Sequence, residues 1–364
     1  MEEAKTKKIS AETLETFITE LFEKANMSKK DAVFHAKALV KSNLWGVDSH
    51  GVIRVPAYFN RMLNGGINTK PDIKVVRGEG NMEVIDGDGA AGFIVAREAM
   101  KRAIEKARVG GIAAVGAVNS NHFGAGGLYA RMAVEEGMVG IAMTNVKPLI
   151  VGPGAKKPVV GNNPIAFGIP TYGDFPFILD MSLSKVAGGK LTLAIKKKEK
   201  IPMDWATDKE GKPTDDPQKA FDGYLMPMGD YKGLGLAYVV DILSGVISGG
   251  VFSHQMKSMY ANPEEPSLTG HFMIVLDISK IIPKEEMKKR MKEYYDTLKA
   301  TPMLEEGTEM FLPGEIEYRK ERERLRDGVP VPETTIEELK ELASNSVGIH
   351  DVSISFIIQS VISS

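Results

Sequence analysis

A chain of 364 residues, 43% hydrophobic and 26% charged, has room for one large or two to three ordinary globular domains. Its formal net charge of −2 argues against nucleic-acid binding carried by bulk basicity, and the lack of cysteine excludes disulfides, thiolate catalysis and Cys-ligated zinc or iron–sulfur centres. Residues 1–10 are charged and hold no apolar core, and the weakly charged stretch near 233–256 is broken by Asp241 and glycines. Neither a secretory signal nor a membrane span is therefore expected, and the cytoplasm is the expected location.

In chain order, Ser10 is a candidate cap for a helix whose apolar face is Leu14, Phe17, Ile18, Leu21, Phe22 and Ala25. Ser28 with Asp31 opens a second, faced by Val33, Ala36, Leu39, Val40 and Leu44; His35 lies off that face and is expected in solvent. A loop, Gly46-Val-Asp-Ser-His-Gly51, leads into residues 52–61, and Pro71 breaks the run. Residues 82–85 predict a short strand closed by Asp86-Gly-Asp-Gly89, a turn that lacks the later Glu of a calcium loop. Residues 92–108 predict a helix. Strand 112–118, helix 125–136, strand 139–144, a Gly/Pro loop 147–163 and strands 164–169 and 176–180 then alternate, which argues for an α/β sheet. Beyond it the pattern predicts helix 186–198, a long ordered loop 201–231, a buried helix 232–247 and strand 272–277. Charged helices 284–300 and 315–326 with solvated faces follow, then helix 334–343 capped by Thr334 or Thr335. An apolar tail, 352–362, is suited to packing on the body or a partner.

The chemistry concentrates around 112–129. A β-branched strand delivers His122 to its end, and Gly124, Gly126 and Gly127 lead into a helix whose N–H groups suit an anion. His122 is able to exchange a proton near neutrality; a lone His at a strand end is otherwise a hydrogen-bonded core residue. A second group is Asp48-Ser49-His50-Gly51 with Arg54 and Tyr58. A helix from residue 51 puts the last two at i and i+4, and an Arg fork binds both oxygens of a carboxylate. The bland alternative is a capped helix start with a solvated Arg. Asp180, ending an apolar run, is placed to orient an imidazole, touch a ribose or cap a helix. Lys232 opens a glycine-rich helix and suits a phosphate or the surface. The dinucleotide fingerprint G-x-G-x-x-G is absent, as is a P-loop. His254, His271 and His350 have no metal-site spacing and receive no role.

Six ordered blocks, DSHGVIRVPAYFNRM, NSNHFGAGGLYA, GNNPIAFGIP, LDMSLSKVAGGK, KGLGLAYVVDIL and FLPGEIEYR, resemble the malate/L-lactate dehydrogenase family over about residues 10–345. The resemblance implies a non-Rossmann, NAD(P)-binding α/β fold with a mixed central sheet and helical N- and C-terminal segments. It implies three regions: 1–70 packed with 310–364, a sheet-containing core of 71–120 plus 250–309, and an NAD(P)-binding part, 121–249. His122 matches the family's acid/base histidine, and Ser49 and His50 its Ser-His motif. Arg54 matches the carboxylate-binding Arg, with Tyr58 beside it and Asn162 near the substrate. Phe123, Gly124, Ala125, Gly126, Asp180, Met181, Ser182, Lys232, Pro313 and Glu315 match cofactor contacts, Asp180 also standing among the catalytic candidates. The implied activity is hydride transfer between NAD or NADP and a small 2-hydroxy or 2-keto acid, malate first, in a homodimer with no metal and neither nucleic acid nor membrane as partner. Lactate, sulfolactate, ureidoglycolate, diketogulonate and cyclic imino acids are alternatives, as is a non-catalytic NAD(P)-binding protein. Gly152-Pro-Gly-Ala155 and Gly161-Asn-Asn-Pro164 depart from the family pattern where substrate is expected.

Overall fold

Ser10 and Ser28 cap the opening helices as their positions suggest, their hydroxyls accepting from Thr13 N at 3.1 Å and Asp31 N at 3.3 Å. The computed structural model describes residues 5–346, so the 352–362 tail and His350 lie outside the described residues. The order is β1 (Thr6–Ile9), α1 (Ala11–Lys24), α2 (Lys29–Leu44), two 3-10 turns (Asp48–His50, Val52–Arg54), α3 (Val55–Leu63), β2 (Lys74–Glu79), β3 (Met82–Asp86) and α4 (Gly92–Gly110). Then follow β4 (Ile112–Ser120), α5 (Gly127–Glu135), β5 (Val139–Thr144), β6 (Ile165–Ile169), β7 (Phe177–Met181), α6 (Gly188–Lys197), β8 (Ala206–Thr207), α7 (Pro217–Asp222) and β9 (Tyr224–Leu225). The chain ends with α8 (Tyr231–Asp241) running into a π-helical turn (Ile242–Ile247), β10 (Thr269–Leu276), α9 (Lys284–Lys299), α10 (Glu315–Asp327), β11 (Val329–Pro332) and α11 (Glu333–Ser346).

Seven strands form one mixed sheet in the order β2-β3-β4-β10-β5-β6-β7. Only β3 and β4 are parallel, joined by α4. β10 runs antiparallel to both β4 and β5, β6 antiparallel to β5, and β7 antiparallel to β6. The C-terminal ends of β4, β5 and β7 and the N-terminal ends of β6 and β10 therefore meet at one edge of the sheet. The sheet carries strands from both the 71–120 and the 121–249 stretches. α4 lays an alanine-rich face (Ala96, Ala99, Ala103) on β4 and β10, while Leu234, Ala237 and Val240 of α8 pack against Met143, Ile165 and Phe272. The N-terminal segment closes against the C-terminal helices: β1 pairs with β11, α10 lies on α2, and α11 on α3.

Several expectations are corrected. β1, β2 and β11 were not expected: β2 is solvent-exposed along its whole length, and the Val-Pro-Val-Pro of β11 reads as a breaker, although its prolines occupy a short two-strand ribbon. The 201–231 loop contains α7 and the β8–β9 pair. Thr334 and Thr335 lie inside α11, which starts at Glu333. The 232–247 helix is only half-buried, with Leu236, Val239, Ile242, Val246 and Ile247 exposed. His35 is fully buried between Phe22, Tyr58 and Phe93, because α2 is covered on two sides.

Candidate active site

The N-terminal segment brings its polar loop to the end of β4. Asn43 of α2 donates to Asp48 Oδ1 at 2.6 Å and accepts Val52 N–H at 2.8 Å. From α10, Arg324 grips Asp48 with both arms, at 2.6 and 3.0 Å. Gly51 makes this turn possible, since a Cβ there would fall 2.1 Å from Asn43 Oδ1. Ser49 and His50 are thereby fixed, with Ser49 Oγ 2.9 Å from His50 Nδ1. Arg54 follows, its Nε donating to Ser49 O at 2.7 Å.

His122 meets this cluster from the sheet side. The His50 and His122 rings stack with centroids 5.6 Å apart. Tyr58, fully buried on α3, places its hydroxyl 2.6 Å from His122 Nδ1, and Gly124 N–H reaches the same nitrogen at 3.3 Å. Nε2 is left as the nitrogen free to exchange a proton with a ligand. Tyr58 both donates and accepts, whereas Gly124 N–H only donates, so with both contacts made Nδ1 carries the lone pair and Nε2 the proton. The base form, with its lone pair on Nε2, replaces the long Gly124 contact by Nδ1–H donating to the Tyr58 oxygen.

The electrostatics of the cluster are uneven. Burial holds His122 well below its ordinary 6.5, helped by the facing His50 and the Arg54 charge. Burial, with Arg54 second, lowers His50 to about 4. Burial pushes the Tyr58 phenol up, so it keeps its proton. Two neutral imidazoles thus flank one fixed cation. Among the described residues no Asp or Glu pairs with Arg54, which leaves its fork for an anion from outside.

Asp180 sits elsewhere at the same sheet end. Its carboxylate accepts Gly127 N–H at 2.8 Å, capping α5 from β7, and none of the described hydrogen bonds joins it to His50 or His122. Surrounding protein raises it to about 6, against the pull of the Gly127 and Gly126 N–H groups. Leu183 N donates to Asn162 O at 2.8 Å and Met228 N to Leu183 O at 2.9 Å. Asn162, the β7 exit through Met181 and Ser182, and the start of α8 with exposed Lys232 are therefore neighbours. The Asn162 side chain makes none of the described hydrogen bonds to His50, Arg54 or His122. Phe123 is buried and stacks on His271 at 4.9 Å. Pro313 O accepts Ile178 N–H at 3.2 Å, which sets the 313–315 turn beside β7. The Glu315 carboxylate is taken up by Lys299 and Arg319, both at 2.6 Å, and by Leu312 N–H.

These residues fit a long phosphate-bearing ligand. α6 begins on exposed Gly188 and Gly189 with open space around them and no side-chain cap, so the N–H groups of these two glycines, unbonded among the described residues, are open to an anion. Lys232 has no carboxylate partner among the described residues. Sequence reasoning did not single out Gly188, Gly189, Arg61, Asn121 or Tyr260. The signal for Arg61 was a charge on the same buried face as Tyr58 and Met62. Nor did it place His271, which bridges Ser120 Oγ at 2.7 Å and Thr144 Oγ1 at 2.9 Å across three strands.

This arrangement is that of a dehydrogenase, and comparison with known proteins gives the family. Residues 9–340 match the family described as malate/L-lactate dehydrogenase. A malate dehydrogenase of Pyrococcus horikoshii is 39% identical over 92% of this chain and 94% of its own. The solved sulfolactate dehydrogenase of Methanocaldococcus jannaschii superposes with a TM-score of 0.88 at 37% identity, covering 93% of this chain and 97% of the other. The malate dehydrogenase structure from Entamoeba histolytica gives 0.89 at 30% identity over 95% of this chain and all of its own. The chain belongs to the malate/L-lactate dehydrogenase family, whose members use a nicotinamide cofactor on small 2-hydroxy acids.

Proposed function

We propose that this protein interconverts a small 2-hydroxy acid and its 2-keto acid, with malate and oxaloacetate as the first pair. The observation that carries the reading is Arg54, a cation with no acidic partner among the described residues, beside a neutral His122. Arg54 holds the substrate carboxylate through its fork. His122 Nε2 takes the hydroxyl proton during oxidation and returns it during reduction, a contribution of about 10²–10⁴-fold. His50, steadied by Ser49, orients the same oxygen, and the Tyr58 oxygen accepts from His122 Nδ1 when Nε2 acts as the base. Residues 123–126, Asp180–Ser182, Lys232, the uncapped start of α6 and the 313–315 turn would hold NAD or NADP, with 121–249 as the main cofactor-binding part. When bound, the nicotinamide accepts or gives up the hydride at substrate C2.

The exposed apolar side of α8 and the π turn, with Ile247 58% exposed, supports a homodimer across this face, which sedimentation velocity reads directly. Among the described residues no helix is long and apolar enough to cross a membrane. A chain without cysteine suits the reducing cytoplasm.

The test is oxidation of NADH and NADPH against oxaloacetate, pyruvate, sulfopyruvate, diketogulonate and piperideine-2-carboxylate. Turnover on oxaloacetate supports the malate reading. Turnover only on the cyclic imine moves the protein to imine reduction. Nucleotide binding with no turnover on any of them supports a binding-only protein.

A further inference from the structure

The loop before β10 has no part in the chemistry described so far, yet it is built into the substrate cluster. Its shape is set by a buried guanidinium. Arg61, 2% exposed on the inner face of α3, donates to the backbone carbonyls of Met259 at 3.2 Å, Asn262 at 3.0 Å and Gly66 at 3.4 Å, and to that of Glu265. It also reaches Asn121 Oδ1 at 3.3 Å, the residue before His122. A buried Arg without a carboxylate partner is tolerated when backbone oxygens satisfy its donors, so these contacts fix loop and side chain together. Tyr260 rides on this loop. Its hydroxyl accepts from Arg54 Nη1, and the Arg54 guanidinium carbon lies 5.6 Å from the ring centroid. With Nε on Ser49 O and Nη1 on Tyr260, the Arg54 plane is held from two sides, and Nη2 makes none of the described hydrogen bonds.

We propose that Tyr260 is a positioning residue for the substrate carboxylate: carried on a loop anchored by Arg61, it sets the orientation of the Arg54 fork before substrate arrives. The proposal rests on the reading of Arg54 as the carboxylate site. A fork already oriented loses less freedom when it binds, so removing the restraint weakens binding without touching the proton transfer.

The test is a double-mutant cycle of Tyr260→Phe and Arg54→Lys, with KM and kcat measured for the 2-keto acid and for the nucleotide. Tyr260 is 62% exposed, and the Phe variant keeps the ring while removing only the hydroxyl. Tyr260→Phe is expected to raise the keto-acid KM about tenfold, to leave kcat within about threefold, and to leave the nucleotide KM unchanged. In the Arg54→Lys background its effect should shrink below about twofold, because no fork is left to orient. An unchanged keto-acid KM in Tyr260→Phe, or additive penalties, would overturn the proposal and leave the Arg54 reading standing. A keto-acid KM unmoved by Arg54→Lys alone would overturn that reading and the proposal with it. A fall in kcat with a shifted pH profile would place Tyr260 in proton transfer and reject the positioning role.

Discussion

The two halves of the sheet end are built by different means. Around His122 the chemistry sits on side chains, each clamped from more than one direction. Arg324 and Asn43 hold Asp48, Tyr58 and Gly124 meet Nδ1 of His122, and Ser49 and Tyr260 hold Arg54. Around Asp180 and α6 the surface is mostly backbone, with glycines, an uncapped helix start and exposed lysines such as Lys232. The difference suits the two tasks we propose for them. Moving a proton and gripping a carboxylate need particular atoms held to within a fraction of an ångström. A phosphate-bearing ligand is served by N–H groups, which glycine lets it approach closely.

Mutations on the two sides should therefore separate. The largest effect belongs to His122→Asn, expected to lower kcat at least about 10²-fold in both directions while the nucleotide still binds; near-wild-type turnover would end the acid/base assignment. Arg54→Lys keeps the charge but loses the fork, and the keto-acid KM should rise about tenfold or more in steady-state kinetics. Asp180→Ala tests the other side. Loss of the α5 cap should raise the nucleotide KM about fivefold and spare the keto-acid KM, and the reverse pattern would move Asp180 into the substrate cluster.

The last prediction is read in stability rather than in rate and concerns His35, which lies behind Tyr58 with neither ring nitrogen partnered among the described residues. Burial lowers it from 6.5 to about 3, so between those values the unfolded chain binds a proton that the folded chain refuses. Its contribution is complete above pH 6.5 and is lost as pH falls, at about 1.4 kcal/mol per pH unit. Urea unfolding of His35→Phe from pH 7 to 4 should show a shallower loss of stability by that slope. His271, also lowered to about 3, keeps its own share. Parallel curves for wild type and variant would show that His35 does not titrate on unfolding.

Much of the proposed catalytic side was legible as a cluster because its residues are close in sequence and unusual in place. Ser49, His50, Arg54 and Tyr58 fall within ten positions, and His122 follows a plain strand signal. The mixed sheet was less legible, since β2 shows no alternation when both its faces meet water, and β11 is half proline. Long-range pairings were the hardest. Asp180 looked like the cap of the helix that follows it, yet it caps α5, fifty-three positions back along the chain. Arg61 drew no reading of its own, because the carbonyls it binds come mostly from a loop about two hundred positions away. Local periodicity carries no trace of either partner.

The most direct test of the account is the pH dependence of kcat/KM for oxidation of the preferred 2-hydroxy acid by the wild-type enzyme, set beside the residual rate of His122→Asn. A base held well below its ordinary 6.5 predicts a rate that stays level through pH 6.5 and falls only at lower pH, with that acid limb absent from the variant. A limb centred at or above 6.5, or one that survives in His122→Asn, would contradict the assignment of His122 as the proton acceptor.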